Sequence, residues 1–167
     1  MTEQLIHTMV AFFQDKIPNE LTVFIISVLP ILELRGGLIA ATLLHIEPLK
    51  AFVICYLGNM LPIPFILLFL KKIFELMKRS KGLGKIVRKL ESKAEKHRPT
   101  IEKYGTWGLL VLVAIPLPGT GGWTGALVAE IMDIRIKKSL PMIALGVLIA
   151  GLIVGTLSYG LLGNLIK

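Results

Sequence analysis

Glu33 and Arg35 stand two residues apart in Thr22–Ile46, a stretch with no other Asp, Glu, Lys or Arg. Charged groups on a membrane helix cost about 2.5–3.5 kcal/mol each on insertion scales unless they meet water or a partner, so an intramembrane pair marks a functional site by default. A guanidinium grips a phosphate or carboxylate through its planar fork of donors, and a buried carboxyl can exchange a proton. Two positions apart in a non-helical stretch, the two side chains can point to one side. A mutual salt bridge that merely neutralises the loop is the alternative. Gly36 and Gly37 precede one apolar arm, and Gly119, Gly121 and Gly122 precede another. A helix that starts just after such glycines offers free N–H groups and a positive dipole end to an anion. Thr120 and Thr124 add hydroxyl donors there. The same glycines also serve tight turns and close packing, and Pro30, Pro116 and Pro118 end the arms before them.

Other chemistries find no constellation. Gly119–Gly125, GTGGWTG, lacks the GK[ST] ending of a phosphate loop and misses GxGxxG by one position. His7, His45 and His97 are far apart with no ligand spacing, so no metal is expected, and no cofactor. Cys55 is the single cysteine, which rules out an intrachain disulfide. Glu130 and Asp133, beside Arg135, are expected at the interface and paired with nearby cations, Glu130 lining an approach path. Tyr104, Trp107 and Trp123 read as interface anchors or packing groups rather than stacking platforms. Asn59 and Pro62–Pro64 interrupt the second apolar stretch, where a kink serves helix packing or lines a pathway.

These residues need a scaffold of helices in lipid. Of 167 residues, 54% are hydrophobic and 18% charged, a balance of membrane proteins rather than soluble domains. The apolar runs are continuous rather than alternating, which excludes an outer-membrane barrel and leaves helices. Ala51–Leu70 and Leu140–Leu162 are full spans of about twenty residues. Thr22–Ile46 and Gly108–Ile134 are instead broken in the middle. Thr22–Pro30 and Gly108–Pro116 are nine-residue arms ending in proline, and Leu38–Ile46 and Trp123–Ile131 are nine-residue arms following a glycine pair. An arm of that length covers about 13 Å, half the hydrocarbon thickness.

Charge orients the units. Twelve of the 19 Lys and Arg lie from Lys71 to Lys103, with only four acids among them. In a chain this apolar, that segment is the cytoplasmic signal of the positive-inside rule rather than a nucleic-acid surface; it also attracts anionic lipid headgroups. If the broken stretches enter and return on one side, Arg135, Lys137 and Lys138 also face the cytoplasm, and both termini lie outside. The expected fold is therefore all-α and integral to the cell membrane. It has two inverted repeats, each a re-entrant helical hairpin followed by a transmembrane helix, joined by a basic cytoplasmic amphipathic helix. Within one membrane domain, 1–167, residues 1–20 form an interfacial helix, 22–70 repeat 1, 71–103 the basic segment and 104–167 repeat 2. No cleavable signal peptide is read at the N-terminus.

Pro30–Ala41, PILELRGGLIAA, and Pro116–Ala129, PLPGTGGWTGALVA, are similar to segments of the small multi-drug export protein family, a likeness running from about Thr22 to the end. That family in turn resembles the DedA/VTT superfamily in its paired re-entrant hairpins. The resemblance implies a transporter or lipid translocase, DedA relatives being associated with moving polyprenyl phosphate and phosphatidylethanolamine. DedA members place arginines near the second hairpin, whereas Pro116–Thr124 carries no charge. The leading expectation is a carrier of an anionic or zwitterionic substrate, a lipid phosphate among the candidates, with a site at the two hairpin tips and proton coupling through Glu33. Export of cationic drugs, with Glu33 as counter-ion, is the second reading, and Arg35 opposes it. A scaffold using the basic helix as docking surface is a third. An enzyme acting on lipid phosphates lacks its acids and histidines, so no catalytic residue is assigned. Membrane lipids, a small-molecule or lipid substrate and a second copy, packed through Gly151 and Gly155, are the expected partners.

Overall fold

The computed structural model describes residues 2–13, 16–79, 83–117 and 119–165. Among these residues there are ten α-helices and no strand. They are α1 (Thr2–Phe13), α2 (Asn19–Val28), α3 (Glu33–Leu43), α4 (Pro48–Met60), α5 (Pro62–Lys78), α6 (Leu83–Glu95), α7 (Arg98–Tyr104), α8 (Trp107–Ala114), α9 (Gly122–Ile131) and α10 (Ile136–Leu165). Pro118, expected to end an arm, lies outside the described residues.

Both first arms stop by the same device. A residue before proline is pushed out of the helical region. Leu29, before Pro30, accordingly has φ −71° and ψ 135°, closing α2. Ile115, before Pro116, has φ −76° and ψ 117°, closing α8.

Pro48–Lys78 and Ile136–Gly160, 31 and 25 residues, are long and apolar enough to cross a membrane. Only 28% of each apolar window is buried, unlike the enclosed core helix of a soluble protein. Val53, Leu57, Phe65 and Leu68 on the first, and Leu145, Leu148 and Leu152 on the second, stay exposed. Such continuous apolar exposure suits hydrocarbon rather than water.

The chain forms two compact units, residues 1–62 with 147–167, and residues 63–146. Their boundaries fall at the start of α5 and within α10.

In the first unit α2, α3 and α4 pack on one another, with α1 against α2 and α3. Ile6 of α1 is fully buried there, while Leu5 and Phe12 remain exposed. Lys50 on α4 donates to Glu20 on α2 at 2.7 Å, marking one end of the bundle. At that end Tyr159 on α10 donates to the Ile46 carbonyl at 2.8 Å. Further along, a Cβ on Gly151 would lie 2.7 Å from Phe52 and 3.2 Å from Leu34, and one on Gly155 4.0 Å from Leu38. The two glycines expected to serve a dimer seam thus face α3 and α4 of the same chain.

In the second unit α8 packs on α7 and α9, and α6 packs on α9. Gly125 of α9 and Gly146 of α10 both abut Val113, at 2.5 and 2.7 Å from an added Cβ, so neither admits a side chain. The basic segment 71–103 comprises the end of α5 and two further helices, α6 and α7, rather than one helix. Its ion pairs, Lys78–Glu91 at 2.7 Å and Arg98 with Glu95 and Glu102, are solvent-exposed and contribute about 0–1 kcal/mol each.

His97, between α6 and α7, binds its proton less readily than its ordinary value of 6.5 implies, because burial and then Lys93 and Lys96 disfavour a further cation. The unfolded chain therefore binds that proton more readily, and acid favours unfolding. Stability is expected to be intact above about pH 6.5 and to decline below it as His97 is forced to charge. Melting curves of wild type and His97→Gln between pH 7.5 and 5 check this, the variant losing part of the decline.

Candidate functional site

The sequence places Glu33, Arg35, Gly36 and Gly37 in a loop before a helix starting at Leu38. The structure corrects this: α3 begins at Glu33, and the loop is only Leu29–Leu32. Glu33 takes the left-handed φ of 51°, turning the chain into the helix, and its N–H donates to the Leu29 carbonyl at 2.8 Å. Gly36 and Gly37 are helical because their missing Cβ atoms permit contact rather than a turn. A Cβ on Gly36 would lie 2.6 Å from Leu32 Cβ, and one on Gly37 1.9 Å from Ser27 Oγ and 2.8 Å from Cys55 Sγ. Gly36 N–H is taken by the Leu32 carbonyl at 2.8 Å. These glycines therefore do not present free N–H groups to a ligand.

Glu33 is 7% exposed and Arg35 half-buried. The field of the Glu33 carboxylate acts on the Arg35 guanidinium. Glu33 also stands in the first turn of α3, where the helix dipole favours its negative charge. The helix terminus therefore already faces a carboxylate.

In the second unit Gly121 is the N-cap of α9, before the helix as the sequence puts it, while Gly122 is the first residue of the helix, which starts one position earlier than Trp123. Gly119 and Gly121 have φ of 82° and 153°, conformations that need glycine. The Thr120 hydroxyl donates to the carbonyls of Ile115 and Leu117, both at 2.9 Å. Thr124 donates to the Gly119 carbonyl, also at 2.9 Å. Each hydroxyl has one proton, so the donor role expected of them is taken by the turn.

The charge missing from Pro116–Thr124 arrives from elsewhere. Lys93 Nζ on α6 comes within 3.4 Å of the position a Cβ on Gly119 would occupy. Nothing in the local sequence signals this, because the lysine lies more than two dozen residues upstream and looks like one of many in a basic run.

A cleft of about 180 Å³ opens in the second unit between α5, α6 and the end of α9. Lys71, Glu75, Glu91, Glu130 and Asp133 are on its walls. Glu130 lines this cleft, and Asp133, expected to pair with a nearby cation, is bonded to Lys71. Among the described residues no group of three or more His, Cys, Asp or Glu could hold a metal ion.

Residues 33–153, which contain Glu33, Arg35, Lys93, Gly119 and Thr124, match the model of the family described as "Putative small multi-drug export protein". The chain belongs to that family. No curated protein and no solved structure matches it. Family membership and two long apolar helices together point to a small membrane export or transport protein. In this member of the small multi-drug export family, Glu33 is buried at the start of α3, and Lys93 stands beside Gly119 in the second connecting turn.

Proposed function

We propose that the protein is a small transporter of the cell membrane that moves an anionic or zwitterionic substrate, with lipid phosphates foremost. The observation that carries this is the buried Glu33 with Arg35 in its field at the start of α3. Arg35 binds the anionic group through its fork of donors, and Glu33 exchanges the coupling proton. Lys93 beside Gly119 supports the anionic reading, since it gives the uncharged second turn a cation. In this reading α2–α3 and α8–α9 are re-entrant hairpins of an inverted repeat. The basic segment and Arg135–Lys138 then face the cytoplasm, and the termini face outside.

The family description favours a second reading, export of cationic drugs with Glu33 as counter-ion. Translocation in proteoliposomes separates the two. A labelled polyprenyl phosphate is followed with and without a pH gradient, in parallel with a cationic dye. Movement of the lipid phosphate, faster with the gradient, is expected. Dye movement without lipid movement would replace this reading with the second.

A further inference from the structure

Asn59 is 2% exposed, and its amide oxygen meets no donor among the described residues. The other buried polar groups of this unit do not share its position. Ser27 and Thr42 donate to the carbonyls of Val23 and Leu38, four residues back, at 2.8 and 2.9 Å. Asparagine at this place on α4 has a strong acceptor in an apolar span, where leaving it unmatched is unfavourable.

Its level in the bundle follows from register. α3 and α4 pack on each other across the four-residue connection 44–47, so they run in opposite directions. Gly37 on α3 faces Cys55 on α4 and Ser27 on α2. One helical turn from that crossing, toward the Leu29–Leu32 connection, are Glu33 on α3 and Asn59 on α4. Gly58, against the Phe24 carbonyl and Ser27, fixes the same end of α4 to α2. An ionised carboxylate only accepts hydrogen bonds. Glu33 and Asn59 therefore bring two acceptors to one level.

We propose that Asn59 is a substrate-contacting residue whose amide oxygen accepts an N–H or O–H from the ligand, so that the transporter selects phosphate headgroups that carry a hydrogen-bond donor. This rests on the anionic reading above and adds specificity to it: Arg35 takes the phosphate and Asn59 the donor at the other end of the headgroup.

The test is calorimetric binding of three soluble headgroup phosphates to purified protein in nanodiscs. Phosphoethanolamine offers N–H donors, glycerol 3-phosphate O–H donors, and phosphocholine has its nitrogen donors replaced by methyls. Wild type is expected to bind the first two about ten-fold more tightly than the third. Asn59→Leu should bring all three within roughly two-fold of phosphocholine, with a melting temperature equal to or above wild type. Asn59→Ala serves if the leucine does not fit, and Asn59→Asp, which keeps an acceptor, should preserve the preference. A preference unchanged in Asn59→Leu or Asn59→Ala overturns this inference alone, as does equal binding of the three by wild type. No binding of any probe by wild type overturns it together with the anionic reading. Normal headgroup preference without translocation in liposomes sustains the contact and counts only against the transport reading.

Discussion

Arg35→Gln is expected to lower substrate transport by about 30-fold or more, with the protein still folded. A charge-assisted hydrogen bond contributes about 1.5–3 kcal/mol, and 1.36 kcal/mol is tenfold in rate. Glu33→Gln is expected to abolish the acceleration by a pH gradient while leaving binding of the anion intact or stronger. The double variant Glu33→Gln/Arg35→Gln then decides between a site and a structural pair. If the two charges only neutralise each other, each single change leaves a partly buried charge uncompensated and destabilises, whereas the double change restores stability and function together. If Arg35 binds substrate, the double variant melts near the wild type but transports no better than Arg35→Gln. Recovery of transport in the double variant would overturn the assignment. Transport rates and melting curves on the same preparations supply both readouts.

How much of this was legible in the sequence depends on the range over which each feature is determined. The breaks at Leu29 and Ile115 were readable, because a proline acts on its immediate neighbour. The two long helices were readable from apolar runs of about twenty residues. Gly36 and Gly37 were misread as loop residues because glycine has two uses, turning the chain and admitting a neighbour. Only the positions of Ser27, Cys55 and Leu32 show which use applies. Local pattern also missed Lys93, whose place beside Gly119 arises from α6 packing on α9. Thr120 and Thr124 looked like ligand donors until the turn itself claimed their protons. Asn59 was noticed as an interruption, but its unmatched oxygen is a property of three packed helices and not of any short motif. The charges Glu33 and Arg35 stood out because hydrocarbon makes any ion conspicuous. Which of them meets the helix dipole depended on where α3 begins.

That placement makes the crossing of α2, α3 and α4 the most sensitive point of the first unit. Gly37→Ala is expected to destabilise by about 3 kcal/mol, the upper end of the usual range for overpacking. The new Cβ would stand 1.9 Å from Ser27 Oγ, 2.8 Å from Cys55 Sγ and 3.2 Å from Ser27 Cβ. Ser27 cannot easily rotate away, since its hydroxyl is held by the Val23 carbonyl at 2.8 Å. Removing that hydroxyl in Ser27→Ala/Gly37→Ala relieves the shortest approach but leaves Cys55, so recovery should be partial. Adding Cys55→Ala should bring the melting temperature most of the way back. Gly155→Ala is the control: its Cβ would meet Leu38 Cδ1 at 4.0 Å, an ordinary contact, and alanine favours a helix over glycine by about 1 kcal/mol. It should melt at or above wild type. Melting curves for the four variants in detergent check the series, and a Gly37→Ala protein as stable as wild type would overturn the crossing. Because Glu33 and Asn59 are each one turn from Gly37 and Cys55, the same crossing sets the level at which their polar groups come together. A triple variant that regains stability but not headgroup preference would therefore show that the glycine serves register as well as space.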